Sequence, residues 1–153
     1  MNRILRPFTK SDEKHVKDLI LSILTAEYPF DKSAYSDSDL DRIDEVYGGK
    51  KDSFFVMEFD GKIIGTAAIK EESGDEALLR RLFVDPRYRR LGCGTELLKQ
   101  AISFCRDKGY KHIYFRCTDR MIDAMNLCIK AGFKEIEALE IAGFKIHKLG
   151  MAV

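Results

Sequence analysis

Apolar positions recur along this chain with two periods, and the switches between them mark out its elements. Ile4 to Phe8 predicts a short first strand. Thr9-x-x-Asp12 then resembles a capping box. Val16, Leu19, Ile20 and Ile23 follow at helical spacing, so a helix is expected to about Ala26, with Pro29 stopping it. Residues 28–38 are irregular, aromatic and acidic. Ser38-Asp39 is read as the start of a second helix through Leu40, Ile43, Val46 and Tyr47, ended by Gly48-Gly49. Asp52 to Glu58 and Lys62 to Lys70 predict two strands joined by an Asp60-Gly61 hairpin, and Gly65 inside the second suggests a bulge or a close approach. Glu76 to Val84 predicts the next strand.

The second half of the chain is as regular. A helix is expected from Thr95 to about Lys108, ended by Gly109, then a strand from His112 to Cys117. A strand, a helix and a strand of these lengths imply a right-handed parallel crossover. Asp119 is read as the cap of a further helix carrying Met121, Ala124, Met125 and Cys128 on one side, closed by Gly132. Phe133 to Leu139 and Phe144 to Leu149 pair across an Ala142-Gly143 turn. The pattern predicts one α+β domain over residues 1–153, without repeats or linkers.

Composition narrows the function classes. The chain is 45% hydrophobic and 33% charged with a net charge of +1, so nothing calls for nucleic acid or an anionic membrane as partner. No apolar stretch approaches the ~20 residues of a membrane helix, and the N-terminal residues lack a signal-peptide core. A cytoplasmic location is expected. Cys93, Cys105, Cys117 and Cys128 form no Cys-x-x-Cys and read as free thiols. His15, His112 and His147 are isolated, so no metal site is expected.

The strongest chemical signal lies between Leu82 and Thr95. An apolar strand breaks at Pro86, passes a basic loop with Arg87, Arg89, Arg90, Gly92 and Gly94, and enters a helix. Free backbone N–H groups at a helix N-terminus suit a phosphate, and glycines let the backbone approach it closely. Two nucleotide motifs fail here: no Walker loop is present, and a dinucleotide fingerprint would need glycine where Leu97 stands.

Arg89-x-x-Gly92-x-Gly94, with the strand before it and Thr95-Glu96-Leu97-Leu98 after it, resembles the signature of the GNAT superfamily of acyl-CoA-dependent N-acyltransferases. Lys130-Ala131-Gly132-Phe133 resembles the family's last helix running into its sixth strand, and the order of elements agrees along nearly the whole chain. The resemblance implies a mixed, mostly antiparallel sheet of about seven strands flanked by about four helices, splayed between the fourth and fifth strands. It implies acetyl-CoA as co-substrate, an amine acceptor, and direct transfer in a ternary complex. The pantetheine arm would pair with Leu82, Phe83 and Val84, where a backbone N–H near Phe83 or Val84 would polarise the thioester. Arg89, Arg90, Leu91, Gly92, Cys93, Gly94 and Thr95 would hold the pyrophosphate, and Asn126 would reach the pantetheine amides or face solvent. The first half of the chain would shape the acceptor site.

Acyl transfer also needs a proton for the leaving thiolate and a neutral amine. Where many members of this family carry a tyrosine as general acid, this chain has Cys128, a potential donor or a core residue; Tyr114 and water are the alternatives. No base stands out, although the acidic and aromatic residues between Tyr28 and Tyr47 could attract a cationic amine. A C-terminal hairpin in this fold leaves a homodimer open. A non-catalytic acyl-CoA-binding sensor or interaction module is the alternative function.

Overall fold

Short connections and alternating burial arrange the chain as a sheet covered on both faces. The strands are β1 (Arg3–Pro7), β2 (Ser53–Phe59), β3 (Lys62–Glu71), β4 (Glu76–Val84), β5 (His112–Thr118), β6 (Lys134–Ile141) and β7 (Phe144–Ala152). In the computed structural model, which describes residues 2–30 and 37–153, they form one sheet in the order β1-β2-β3-β4-β5-β7-β6. The helices among those residues are α1 (Glu13–Glu27), α2 (Ile43–Val46), α3 (Cys93–Asp107) and α4 (Ile122–Ala131). All neighbouring strands run antiparallel except β4 and β5, which are parallel. The predicted crossover is therefore present.

The period-2 alternation of β2 shows how the two faces are filled. The Phe54 ring meets Tyr47 at 5.3 Å, whereas the next residue, Phe55, meets Phe104 of α3 at 5.8 Å. Helix α1 buries Val16, Ile20, Ile23 and Leu24, and α3 buries Leu97, Leu98, Ala101 and Cys105. Both hairpins turn as expected: Asp60 and Gly61 (φ 48° and 81°) and Ala142 and Gly143 (φ 51° and 84°) take the paired left-handed conformations of a tight two-residue turn. Gly65 combines its two expected roles. The β2–β3 register shifts beside it, and a Cβ there would stand 2.8 Å from Leu97 Cδ1 and 3.3 Å from the Phe83 carbonyl oxygen.

Three expectations change. The Thr9–Asp12 capping box is real, but it caps a single 3-10 turn (Lys10–Asp12) that leads into α1. The second helix is split into a 3-10 turn (Ser38–Asp41) and the short α2, because Arg42 departs from helical geometry at φ −147°, ψ 46°. Asp119 does not cap α4; Met121 occupies that position with no side-chain hydrogen bond. At the sheet edge, every residue of β6 is exposed, including Ile136, Leu139 and Ile141.

Two local irregularities open the sheet at its centre. Strands β4 and β5 pair only from Glu76–His112 to Leu79–Phe115, and beyond that they separate. Just there β4 bulges: Arg80 pairs with Ala68 and Phe83 with Thr66, and the extra residue Arg81 is left-handed at φ 54°. Such a conformation costs about 1–3 kcal/mol for a non-glycine residue. Thr66 Oγ1 donates to the Arg81 carbonyl at 2.6 Å, which helps hold it.

Candidate functional site

The opening between β4 and β5 is flanked by two cavities of about 610 and 630 Å³ that share Leu82, Phe83 and Met121. The first is walled by the β4 end, the loop after it, the start of α3, and one side of α4. Leu82, Phe83, Val84, Arg89, Arg90, Gly92, Cys93, Gly94 and Thr95 all line it. Two of the expected residues do not. Leu91 points out, and its carbonyl accepts from Arg3 Nη1 at 2.5 Å; Asn126 is exposed on α4. Pro86, Tyr28, Met121, Asp123, Ala124 and Leu127 complete the wall. The positions of all but Pro86 depend on how α1 and α4 pack, which no local motif encodes.

Loop geometry gives this cavity its polarity. Gly92 caps α3 at φ 83°, two residues after Arg90 at φ 63°. The first turn of a helix has no internal acceptors for its N–H groups, so those of Cys93, Gly94 and Thr95 point outward. The helix bonding begins with Glu96 N–H to the Gly92 carbonyl. A Cβ at Gly92 would meet nothing within 4 Å, so the loop backbone is uncovered on its outer side. Such a run of amides at the positive end of a helix fits an anion of pyrophosphate type.

The three loop arginines differ in what they can offer. Arg87 is paired with Asp85 at 3.0 Å. Arg89 is held by Glu27 at 2.5 and 2.8 Å, which ties the loop to the end of α1, and its Nε donates to the Val84 carbonyl at 3.1 Å. Arg90 has no carboxylate partner among the described residues and is the cation left for an anion. The Val84 backbone is placed for a different task. Asp85 N–H bonds the Ile64 carbonyl on β3. Strand alternation therefore turns the Val84 N–H toward the opening and that of Phe83 toward β3.

The second cavity lies between β4, β5 and the β6–β7 turn. Its apolar wall includes Leu78, Phe115, Ile141, Phe144 and Ile146, and its cations are Arg80, Arg81 and Arg116. Arg81 is committed elsewhere. Its buried guanidinium grips Asp39 through Nε at 3.1 Å and Nη2 at 2.5 Å, and Tyr47 Oη donates to the same carboxylate at 2.6 Å. Burial alone would raise the Asp39 pKa. Hydrogen bonds from Arg81 and Tyr47 and the charges of Arg81 and Arg80 outweigh it and hold the carboxyl below its ordinary range. Two consecutive arginines inside an apolar strand were the sequence signal for this arrangement.

Neither candidate acid reaches either cavity. Cys128 is fully buried, and burial pushes its thiol up to about 12. Tyr114 sits on the paired part of β5, stacked on His112 at 6.2 Å with Lys148 Nζ 4.4 Å from its ring centre. Three of the acids expected to draw in a cationic amine are engaged, Asp39 by Arg81, Asp41 by Lys17 and Asp44 by Lys10, whereas Asp37 is exposed. Asp31 and Tyr35 lie outside the described residues. Among the described residues, no cluster of three or more His, Cys, Asp or Glu side chains could hold a metal, and no helix is long and apolar enough to cross a membrane.

Comparison with known proteins agrees with this geometry. Residues 17–133 match the model of the acetyltransferase (GNAT) family. The probable N-acetyltransferase camello of Xenopus tropicalis is 34% identical over 97 residues, 62% of this chain and 44% of that protein. The uncharacterized N-acetyltransferase YjgM of Escherichia coli K12 is 26% identical over 140 residues, 88% of this chain and 83% of that one. The chain thus spans less than half of the first relative and most of the second. A crystal structure of a GNAT-family acetyltransferase from Staphylococcus aureus Mu50 shares the fold with a TM-score of 0.87, at 22% identity over 99% of both chains.

Proposed function

The chain belongs to the acetyltransferase (GNAT) family, and on that premise we propose that it transfers the acetyl group of acetyl-CoA to a primary amine, directly, within a ternary complex. The observation that carries this reading is the shared wall. The amide-lined cavity and the arginine-bearing cavity meet at Leu82, Phe83 and Met121, so two ligands entering from opposite sides would meet at the β4 opening. Acetyl-CoA supplies an activated thioester. The amides of Cys93, Gly94 and Thr95 and the Arg90 guanidinium hold its pyrophosphate. The unpaired β4 edge takes the pantetheine arm like an added strand. The Val84 N–H donates to the thioester carbonyl and favours charge building on that oxygen.

Proton handling falls to water. Cys128 and Tyr114 stand away from both cavities, and a thiolate is a good enough leaving group to take its proton from solvent. No carboxylate lines the acceptor cavity among the described residues, so the amine sheds its proton through water as well. Arg80 and Arg116 assist, because nearby positive charge disfavours an ammonium ion. The cytoplasmic location expected from the sequence belongs to the same proposal, and the homodimer stays open.

Release of free CoA thiol from acetyl-CoA, followed with a thiol reagent across a panel of amines, tests this function. Amine-dependent release with an acetylated product of matching mass is the expected result. Saturable acetyl-CoA binding without turnover of any amine would favour the non-catalytic sensor instead.

A further inference from the structure

Resting on the N-acetyltransferase reading, we infer that the acceptor carries a carboxylate beside its amine, together with an apolar group: it is an amino acid or amino-acid conjugate. The acceptor cavity is lined by three arginines, Arg80, Arg81 and Arg116, and by no Asp or Glu among the described residues. One guanidinium, that of Arg81, is neutralised by Asp39. Arg80 is 3.9 Å from the same carboxylate and shares it only weakly. Arg116 is exposed on β5 and makes no ion pair among the described residues. It pairs across β7 with Lys148, a further positive charge, and Glu137 on β6 stands beyond that lysine.

A polyamine or a lysine side chain would bring like charge into this cavity, and nothing on its described wall would compensate. An amine bearing a carboxylate is neutral overall as a zwitterion, and its carboxylate suits a guanidinium fork. The apolar remainder is met by Phe115, Ile141, Phe144 and Ile146. Pairing the carboxylate with Arg116 or Arg80 also removes the negative charge that holds the proton on the neighbouring amine. The missing base and the surplus arginines thus have one explanation. In the reaction the amine nitrogen bonds to the acetyl carbon and the carbon–sulfur bond breaks. Sulfur leaves as the CoA thiolate and is protonated, and the proton lost from nitrogen passes to water.

The test compares matched acceptors at saturating acetyl-CoA: phenylalanine and leucine, their carboxamides, phenethylamine, and spermidine. The amino acids should exceed their carboxamides by about tenfold or more in kcat/KM, mainly through KM, as expected for one lost charge-assisted contact. Arg116→Gln should close most of that gap without changing acetyl-CoA affinity, and Arg116→Lys should restore part of it. Arg80→Gln provides a second, independent site. Equal use of acid and carboxamide, preference for spermidine, or no turnover of any amino acid while phenethylamine or spermidine is acetylated would overturn this inference alone. Absence of acetyl-CoA binding would overturn the N-acetyltransferase reading with it.

Discussion

The two cavities at the β4 opening are almost equal in size and share a wall, yet they are built from different materials. The first is made largely of one stretch of backbone: ten residues between Leu82 and Thr95 line it, and its polarity comes from amides at the start of α3. The second is made of side chains gathered from β4, β5, α4's first flank and the β6–β7 turn, and its polarity comes from guanidinium groups. Backbone polarity is the same whatever the side chains are, so the first cavity suits a ligand shared by a whole family. Side-chain polarity varies position by position, so the second suits what distinguishes this chain.

Breaking the support of the second cavity should have the largest effect. Asp39→Ala leaves the buried Arg81 charge without its partner at the bulge. We expect a loss of about 3–5 kcal/mol of stability in denaturant titration, with the opening at β4 deformed. The pH dependence has a defined sign. Because the Asp39 pKa is depressed in the folded protein, its contribution is present above the unfolded value, about 3.9, and is lost as pH falls through the lower folded value. Asp12, held at about 2 by its hydrogen bond with Arg6 against the opposing effect of burial, adds to the same acid sensitivity. The stability gap between the wild type and Asp39→Asn should therefore shrink in acid.

Next comes the backbone of the first cavity. Gly92→Val places a β-branched side chain at φ 83°. It should weaken acetyl-CoA by about a hundredfold by calorimetry, while amino-acid discrimination among the molecules that still turn over is unchanged. Arg90→Gln removes the loop cation without a carboxylate partner and should weaken acetyl-CoA by about tenfold, with a shallower dependence on salt. The smallest catalytic effect is expected at Cys128. With its thiol pushed up to about 12 and away from both cavities, Cys128→Ala should leave kcat and its pH profile within about twofold, at a stability loss of about 1 kcal/mol. A shifted pH profile in that variant would restore Cys128 as the acid.

The same contrast explains what could be read from the chain. Strand and helix identities were legible because burial is periodic, and the α3 loop was legible because its glycines and arginines are contiguous in sequence. The bulge at Arg81 was not, because it depends on a register shift against Thr66 and Ala68 together with an ion pair to Asp39, forty-two residues away in sequence. The alternatives left open for Asn126 and Tyr114 were not decidable from the sequence for a similar reason. A one-residue change of face on α4 or β5 decides whether a side chain meets the opening, and only packing sets that. The split of the second helix likewise follows from a non-helical Arg42, which no local breaker residue announces.

Calorimetric titration of the purified protein with acetyl-CoA, with ATP and NAD as controls, tests the central claim most directly. The account predicts saturable one-site binding of acetyl-CoA, little heat from either control, and loss of the acetyl-CoA signal in Gly92→Val. No binding of acetyl-CoA, or equal binding of ATP, would contradict it and leave the Gly92 loop as a structural turn or a site for another anion.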